Sequence, residues 1–273
     1  MNISLITPKP FNPQKLRARK VNFQLSTDIP KIWHGNSLIM THFFNAINLF
    51  LPAFELMMVR VMKNQLNNIE DSEFKKQICG FIAQEASHSQ AHHQYNQILR
   101  KQGYKFEKLL KTTDFILTEI VEKRLGKQVS LATIAGFEHL TTLLAEIVLK
   151  VDMLEPAEFR MKELWKWHAA EEIEHSSLAF IYLQKINNSY WLRVVGGVLG
   201  AAIVVSFIAV GMLLLVLQER DPFSWKTLID LNKLLFTKYK LIPYSLKPFF
   251  EYFNFKFDSC NKDVYPLAEK VFI

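Results

Sequence analysis

The chain has 273 residues with a formal net charge of +7, and 49% of its residues are hydrophobic. A content of only 9 Gly and 10 Pro is typical of long helices and argues against a turn-rich all-β protein. Two cysteines, Cys79 and Cys260, are too few for a disulfide framework or a zinc knuckle, which favours a reducing compartment. No basic stripe with interleaved aromatics and no nucleic-acid motif occurs, so nucleic acid is not an expected partner.

Residues 1–35 predict an irregular basic arm. Five basic residues stand near the start of this arm, which contains four prolines, and they are Lys9, Lys15, Arg17, Arg19 and Lys20. The arm lacks the apolar stretch of a signal peptide, so we expect a cytoplasmic active region. We expect the arm to pack on the body without forming an element of its own.

Residues 36–190 predict an all-α four-helix bundle. Apolar residues recur there at three- and four-residue intervals, which is the period of a helix face. We expect Ser72 and Ser130 to cap the second and third major helices. The expected starts of the five helical stretches, the third of which is short, are Ser37, Ser72, Phe106, Ser130 and Pro156. Gly103 is expected to end the second helix, and the last helix is expected to continue to Lys185.

Residues 191–218 predict one long apolar helix. Residues 194–217 carry no charge, and at about 1.5 Å per residue they are long enough to cross a bilayer core. Trp191 before this stretch and Trp225 after it are typical of interfacial aromatic residues. We therefore expect a membrane partner and attachment to the inner membrane, with a buried core helix or an in-plane hairpin as alternatives.

Residues 219–273 predict short helices and a tail. Residues 225–236 and 248–255 are expected to form helices with aromatic faces that cover the bundle or lie on the membrane.

Four acidic residues fall where the surrounding periodicity predicts an apolar, inward-facing side, and they are Glu55, Glu85, Glu138 and Glu172. Burying a carboxylate costs several kcal/mol unless a cation or hydrogen bonds compensate. Glu85 and His88 form one Glu-x-x-His sequence, and Glu172 and His175 form another. Positions i and i+3 share a helix face, so each carboxylate and imidazole can bind one ion.

The order of these acids repeats along the chain. Glu55 precedes the first Glu-x-x-His by 30 residues, and Glu138 precedes the second by 34. Two helices that each give one Glu, with two that each give Glu-x-x-His, form the ligand set of di-iron and di-manganese carboxylate proteins. We therefore predict two metal ions, with Fe favoured over Mn or Zn. The predicted ligands are Glu55, Glu85, His88, Glu138, Glu172 and His175.

Two further histidines follow the same faces. His92 lies one turn beyond His88, and His168 lies one turn before Glu172. Each is an additional ligand, a donor that orients a carboxylate, or a catalytic proton shuttle. The histidines expected to point elsewhere are His93 and His139, and the acids expected to be solvated are Glu146, Glu171 and Glu174.

Several motifs carry a family resemblance, and they are Phe44-Asn45-Ala46, Pro52-Ala53-Phe54-Glu55, Phe81 to His88, His93 with Asn96, Glu138-His139-Leu140-Thr141, and Trp167 to His175. At these residues the chain resembles the bacterial ferritin-like family of predicted metal-dependent hydrolases, over roughly residues 30–260. Phe54 stands where the family usually has Gly. Residues 255–259 replace a Pro-Gly-Phe-His-Pro run and so lack a family histidine. The resemblance implies a metal-binding helical bundle and metal-dependent hydrolysis.

The residue pattern leaves three functions open. The favoured hypothesis is a non-haem di-iron oxidoreductase that uses oxygen on an apolar or lipid-like substrate, because an apolar helix accompanies the site. The first alternative is a metal-dependent hydrolase in which His92 or His168 moves the proton. The second alternative is non-catalytic metal storage or sensing. A homodimer is also left open.

Overall fold

The computed structural model describes residues 16–261 and 264–272, and these residues are all-helical, as predicted. Lys9 and Lys15 of the predicted arm lie outside the described residues. The described helices are α1 (Leu38–Lys63), α2 (Ser72–Lys101), α3 (Glu107–Phe115), α4 (Gly126–Lys150), α5 (Phe159–His175), α6 (Leu178–Ile186), α7 (Tyr190–Val216), α8 (Trp225–Asn232), α9 (Leu241–Glu251) and α10 (Tyr265–Glu269). π-helical turns follow α3 and α8 at Ile116–Arg124 and Lys233–Thr237.

Local chemistry accounts for where the first two helices start and stop. The Ser37 hydroxyl accepts the Met40 N–H and caps α1, which begins one residue after the start predicted at Ser37. The predicted cap at Ser72 is wrong by one residue, because the Asp71 carboxylate accepts the first free N–H groups of α2. Gly103 follows α2 with a φ of +96°, a left-handed conformation that ends a helix at little steric cost.

Three other predicted boundaries are wrong. Ser130 does not cap the next helix but lies one turn inside α4, where its hydroxyl donates to the carbonyl of Gly126. The helix predicted from Pro156 to Lys185 is two helices, because a turn at residues 176–177 separates α5 from α6. The helix predicted for residues 248–255 instead forms as α9, which begins at Leu241 and contains Pro248.

The helices α1, α2, α4 and α5 surround one interior, and α7 packs on the outer side of α1 and α4. α2 packs on α1, α5 packs on α4, and α7 packs on both α1 and α4. The Phe54 ring of α1 and the Phe137 ring of α4 stack with centroids 3.5 Å apart. The Phe50 ring of α1 stacks on the Phe207 ring of α7 at 5.6 Å. The apolar core therefore joins α7 to the bundle.

α1, α4 and α7 are each long and apolar enough to cross a membrane. The most apolar 18 residues of α1 and of α4 are 72% buried inside the protein, whereas those of α7 are only 28% buried. The predicted long apolar helix therefore exists and exposes one apolar side. Its contact with a membrane and the predicted domain limits stay predictions.

Small residues let α7 approach α4 closely. A Cβ on Gly136 of α4 would lie 2.6 Å from the Cα of Gly197, and a Cβ on Gly196 would overlap the backbone of Ala132. Backbone atoms cannot turn away as a side-chain end can, so these glycines set the separation of the two helices.

We expect Gly196→Ala to destabilise the protein by about 2 kcal/mol or more, because the added methyl group forces α7 away from α4. Urea unfolding measures this change. Ala202→Ser is the matched control, since it adds one heavy atom on the exposed side of the same helix and should change the unfolding free energy by less than about 0.5 kcal/mol. Equal unfolding free energies for the two variants would contradict the packing argument.

Candidate metal centre

The four predicted acids point into the interior of the four helices. α1 provides Glu55, α2 provides Glu85, α4 provides Glu138 and α5 provides Glu172. Their relative exposures are 0%, 0%, 1% and 2%, so water does not solvate them. His88 and His175 are also fully buried and lie on the same helices as Glu85 and Glu172. The inward orientation predicted from the periodicity is confirmed for all four carboxylates.

One group of donor atoms comes from the two Glu-x-x-His sequences. Ligand atoms of Glu85, His88, Glu172 and His175 all lie within 4.8 Å of one another. The His88 Nδ1 atom is 3.6 Å from Glu172 Oε1, and the His175 Nε2 atom is 2.9 Å from Glu85 Oε1. Donors that share one ion at about 2.0–2.2 Å lie about 3 Å from their neighbours, so this spacing suits a coordination sphere.

A second group shares His88 with the first. Ligand atoms of Glu55, His88 and His168 also lie within 4.8 Å of one another. The His168 Nε2 atom is 3.5 Å from Glu172 Oε1, which connects the two groups. Glu138 belongs to neither group. Its Oε2 atom is 2.8 Å from the His175 Nδ1 atom, and its buried Oε1 atom has no hydrogen-bond partner. His168 therefore occupies a donor position in the second group, and Glu138 supports His175.

Many donor atoms of this cluster are buried without a hydrogen-bond partner. Both carboxylate oxygens of Glu55 and of Glu85 have none, nor do the His88 Nδ1 and His175 Nε2 atoms. The 2.9 Å separation of His175 Nε2 and Glu85 Oε1 is short but is not aligned as a hydrogen bond. Buried polar groups normally find a partner, and unpaired ones are costly. Converging Glu and His donors with unused lone pairs fit a bound cation.

A carboxylate behind His88 fixes its tautomer. The His88 Nε2 atom lies 3.1 Å from Glu171 Oε2, and an ionised carboxylate only accepts hydrogen bonds. The proton is therefore assigned to Nε2, and the lone pair of Nδ1 faces Glu85 and Glu172. Metal-binding histidines commonly donate their other N–H in this way, which orients the ring.

A chain of hydrogen bonds that starts at the Asn96 and Asn48 side chains orients the rings of His92 and His168. Asn48 donates its side-chain N–H to Asn96 at 2.7 Å, which leaves the Asn48 Oδ1 atom to accept from His92 Nδ1 at 2.6 Å. A neutral His92 then uses Nε2 to accept from His168 Nδ1 at 3.1 Å. The lone pair of His168 Nε2 consequently faces the second donor group. Asn48 was not singled out from the sequence, although a buried amide seven residues before Glu55 on an apolar face is a recognisable signal.

Arg19 of the N-terminal arm clamps two acids of α5. Its guanidinium donates to Glu171 Oε1 at 2.8 Å and to the two oxygens of Glu174 at 2.7 Å and 2.6 Å. Gln84 of α2 donates to Glu174 at 2.9 Å. The same Glu171 carboxylate also accepts from His88. Arg19 is therefore linked through Glu171 to a ring of the centre.

The prediction that Glu146, Glu171 and Glu174 are solvated is wrong, since their exposures are 4%, 0% and 3%. The reason is tertiary: the arm residue Arg19 and the helix α10 cover the side of α5 that would otherwise meet water. Glu146 is paired with Lys150 at 2.9 Å. His93 is exposed and His139 contacts the Pro248 carbonyl, so both point away from the centre, as predicted.

Burial and neighbouring charges together control the protonation of the centre. Burial would lower the pKa of His175, but Glu138 and Glu85 raise it well above its ordinary value. Burial has the larger effect at the other groups. It raises the pKa of Glu85 to about 7, although the charge of His175 works in the opposite direction. Burial and then the charge of Glu138 raise the pKa of Glu172 well above its ordinary value. Burial lowers the pKa of His88 and of His168, so both rings are neutral and carry a free lone pair. Such carboxylates gain from a neighbouring cation, which lets them ionise.

Aromatic rings close the interior around the donors. The Phe81 ring meets the His175 ring edge-on at a centroid distance of 4.7 Å, and the Trp167 ring meets the His88 ring in the same way at 4.7 Å. The Trp165 ring lies 5.1 Å from the His92 ring. These apolar walls limit water around the cluster and fix the imidazole planes.

The family model described as predicted metal-dependent hydrolase matches residues 17–263. That range includes every residue of the centre and the Arg19 clamp. Comparison with curated proteins gives no match. Comparison with solved structures gives none either.

We expect Glu55→Gln to have opposite effects with and without metal. Burial and then the charges of Glu85, Glu172 and Glu138 raise the pKa of Glu55 well above its usual range, so the metal-free protein can fold only if this carboxyl takes up a proton, and the neutral Gln side chain removes that cost. The metal-free variant should therefore melt at a higher temperature than the metal-free wild type, while its metal-induced rise in melting temperature should shrink. Titration calorimetry should show metal binding weakened about tenfold or more.

Glu146→Gln is the control for that substitution. Glu146 is a buried acid paired with Lys150 outside the donor groups, so its loss should leave metal binding unchanged. Identical metal-binding curves for the wild type and Glu55→Gln would exclude Glu55 from the centre.

We expect Arg19→Met to destabilise the protein by about 1–3 kcal/mol, because it leaves two buried carboxylates without their cation. Chemical unfolding measures the loss. Arg160→Met is the matched control, because the exposure of the Arg160 side chain is 21% and that of Arg19 is 28%. The partners of Arg160 are Asp28 and Glu158, which are 72% and 21% exposed, whereas Glu171 and Glu174 are 0% and 4% exposed. The control should cost less than about 1 kcal/mol. Equal losses would show that burial of the partners does not matter here.

Proposed function

Because the chain belongs to the family of predicted metal-dependent hydrolases, we propose that it is a hydrolase whose buried Glu and His cluster binds metal ions. The observation that carries this proposal is the set of buried carboxylate and imidazole atoms that lack a hydrogen-bond partner. The donors that would hold the ions are Glu55, Glu85, His88, His168, Glu172 and His175. When bound, the metal supplies a water of lowered pKa and polarises an ester or phosphate bond.

The residues around these donors would orient them. Glu171 holds the proton on His88 Nε2, and Glu138 holds the ring of His175 through its Nδ1 atom. Both ring nitrogens of His92 are already bonded, one to Asn48 and one to His168. The bonds of His92 therefore favour an orienting role over the proton-shuttle role considered from the sequence.

A cavity between α4, α9 and the segment that follows α9 is a candidate substrate pocket, although none of the six donors lines it. It has a volume of about 430 Å³ and is lined by Thr142, His139 and Ser176 among others. Thr142 lies one turn after Glu138 on the same face of α4, and the buried Thr142 Oγ1 atom has no hydrogen-bond partner. Its lining includes Glu251, Asp258 and Lys256, so a polar substrate fits it better than a purely apolar one.

A second candidate function is oxygen-dependent oxidation at a di-iron centre in a ferritin-like bundle. The supporting observation is that α1 and α4 each turn one Glu inward, whereas α2 and α5 each turn a Glu-x-x-His inward. This is the donor pattern of di-iron and di-manganese carboxylate proteins. The polar cavity does not favour the apolar substrate that the sequence suggested.

Metal replacement separates the two functions. We expect protein loaded with Zn or Mn in the absence of oxygen to hydrolyse activated carboxylic or phosphoric esters, and we expect Glu55→Gln to lose at least about tenfold in rate. Asp230→Asn should keep the wild-type rate, because Asp230 is a buried acid of α8 that pairs with Lys233 and lies neither among the donors nor in the cavity lining. If the protein takes up oxygen only with Fe and hydrolyses no ester with any metal, the second candidate function, oxidation, is supported and hydrolysis is rejected. A fully loaded protein that does neither would leave metal storage or sensing.

A further inference from the structure

Exposed apolar side chains are concentrated in one part of the described chain. Most of the large ones lie between Trp191 and Phe255, whereas few occur on α2 or α5. This apolar face is formed by α7 and by the segment from α8 to α9. Such an extent of exposed apolar surface marks an interaction site.

The α7 part of the face is a single stripe. The large exposed residues recur at intervals of three to seven positions and are Val195, Val198, Val205, Val210, Leu213 and Leu217. The opposite side of the helix carries Gly196, Gly200 and Gly211, which pack on α4 and α1. No charged residue occurs between residues 194 and 217.

The α8 to α9 part extends the stripe. α8 packs on α1 and α9 packs on α4, the two helices that α7 also covers. The exposed apolar residues there are Trp225, Leu228, Phe236, Leu246 and Phe250. No residue of α9 is buried, so this amphipathic helix has an open apolar side.

The packing of α7 determines how it can meet a bilayer. Arg193 at its first turn donates to the Tyr252 carbonyl at 2.7 Å, and Gln218 just after its end donates to the Lys105 carbonyl at 3.1 Å. Between these points the helix contacts α1 and α4. A bilayer that enclosed α7 from end to end would also enclose the bundle beside it, including the exposed polar side chains of α2. Charged and polar side chains facing hydrocarbon are costly, so the helix cannot cross as a lone anchor.

Charge favours lipid over a second copy of the chain. Residues 218–256 contain seven Lys or Arg against four Asp or Glu, and Lys238, Lys240 and Lys247 are exposed. Basic residues beside an apolar face bind anionic headgroups. Two copies facing each other would instead bring like charges together.

We propose that the apolar face of α7, α8 and α9 docks the protein on the surface of an anionic bilayer, with α7 lying in the membrane plane. The outer side of α7 enters the boundary between headgroups and acyl chains, at a depth of about 5–10 Å. The centre then lies under α1 and α4, on the far side of α7 from the lipid.

Binding of the full-length protein to vesicles tests the partner. We expect it to bind vesicles of phosphatidylcholine with phosphatidylglycerol more tightly than vesicles of phosphatidylcholine alone. Phe250→Asp should weaken binding about tenfold or more, because it adds a charge to the apolar face. Phe159→Asp is the matched control: Phe159 on α5 is 70% exposed and Phe250 is 64% exposed, so neither change disturbs the core. No vesicle binding, together with a dimer that Phe250→Asp dissociates, would overturn the proposal in favour of a second copy.

Depth measurements test the orientation. Val195→Cys, Ser206→Cys and Leu213→Cys, each in a chain without Cys79 and Cys260, carry a spin label on the exposed side of α7. We expect similar shallow depths at all three positions on the anionic vesicles. A depth that is greatest at residue 206 would overturn the in-plane orientation, since a crossing helix is deepest at its centre.

Discussion

The neutralisation of buried carboxylates is the constraint on which the rest of the structure depends. Glu55, Glu85, Glu138 and Glu172 lie in one closed interior and repel one another unless protons or cations balance them. A stable apolar core would not need these groups, and isolated charges in such a core are strongly unfavourable. Arg19 balances the outer acids Glu171 and Glu174. Glu138 pairs with His175, and the proposed metal ions would balance Glu55, Glu85 and Glu172.

The layered packing follows from that interior. Because two Glu-x-x-His helices and two single-Glu helices must face each other, each can cover the others only on its inward side. The remaining apolar sides of α1 and α4 need another cover, and α7 provides it through glycine contacts and the Phe50 and Phe207 rings. α7 is apolar on both its inner and its outer side, so its outer side presents an apolar surface that soluble proteins rarely expose.

Sequence periodicity predicted the helical class, the long apolar helix and the inward side of each acid, because a buried Glu on an apolar stripe is locally unusual. It failed for Glu171 and Glu174, whose burial depends on an arm more than 150 residues away. The contacts of Glu138 could not be predicted from the sequence either. Helix periodicity gives the side of a helix on which a residue lies, but it does not show that Glu138 contacts His175 or that His168 lies near Glu55. Helix ends were misassigned where a neighbour one residue away had the better capping group.

The Arg19 clamp also has a consequence for biosynthesis. Arg19 and Glu174 are 155 residues apart, so the arm leaves the ribosome long before its partners on α5 exist. At the usual pace of translation, the nascent arm waits several seconds or more for α5 to emerge. Glu171, Glu172 and His175 all belong to α5, so the centre can acquire its final form only when synthesis is well past its midpoint. A chain released before α5 would expose unpaired basic and apolar surfaces to chaperones and proteases.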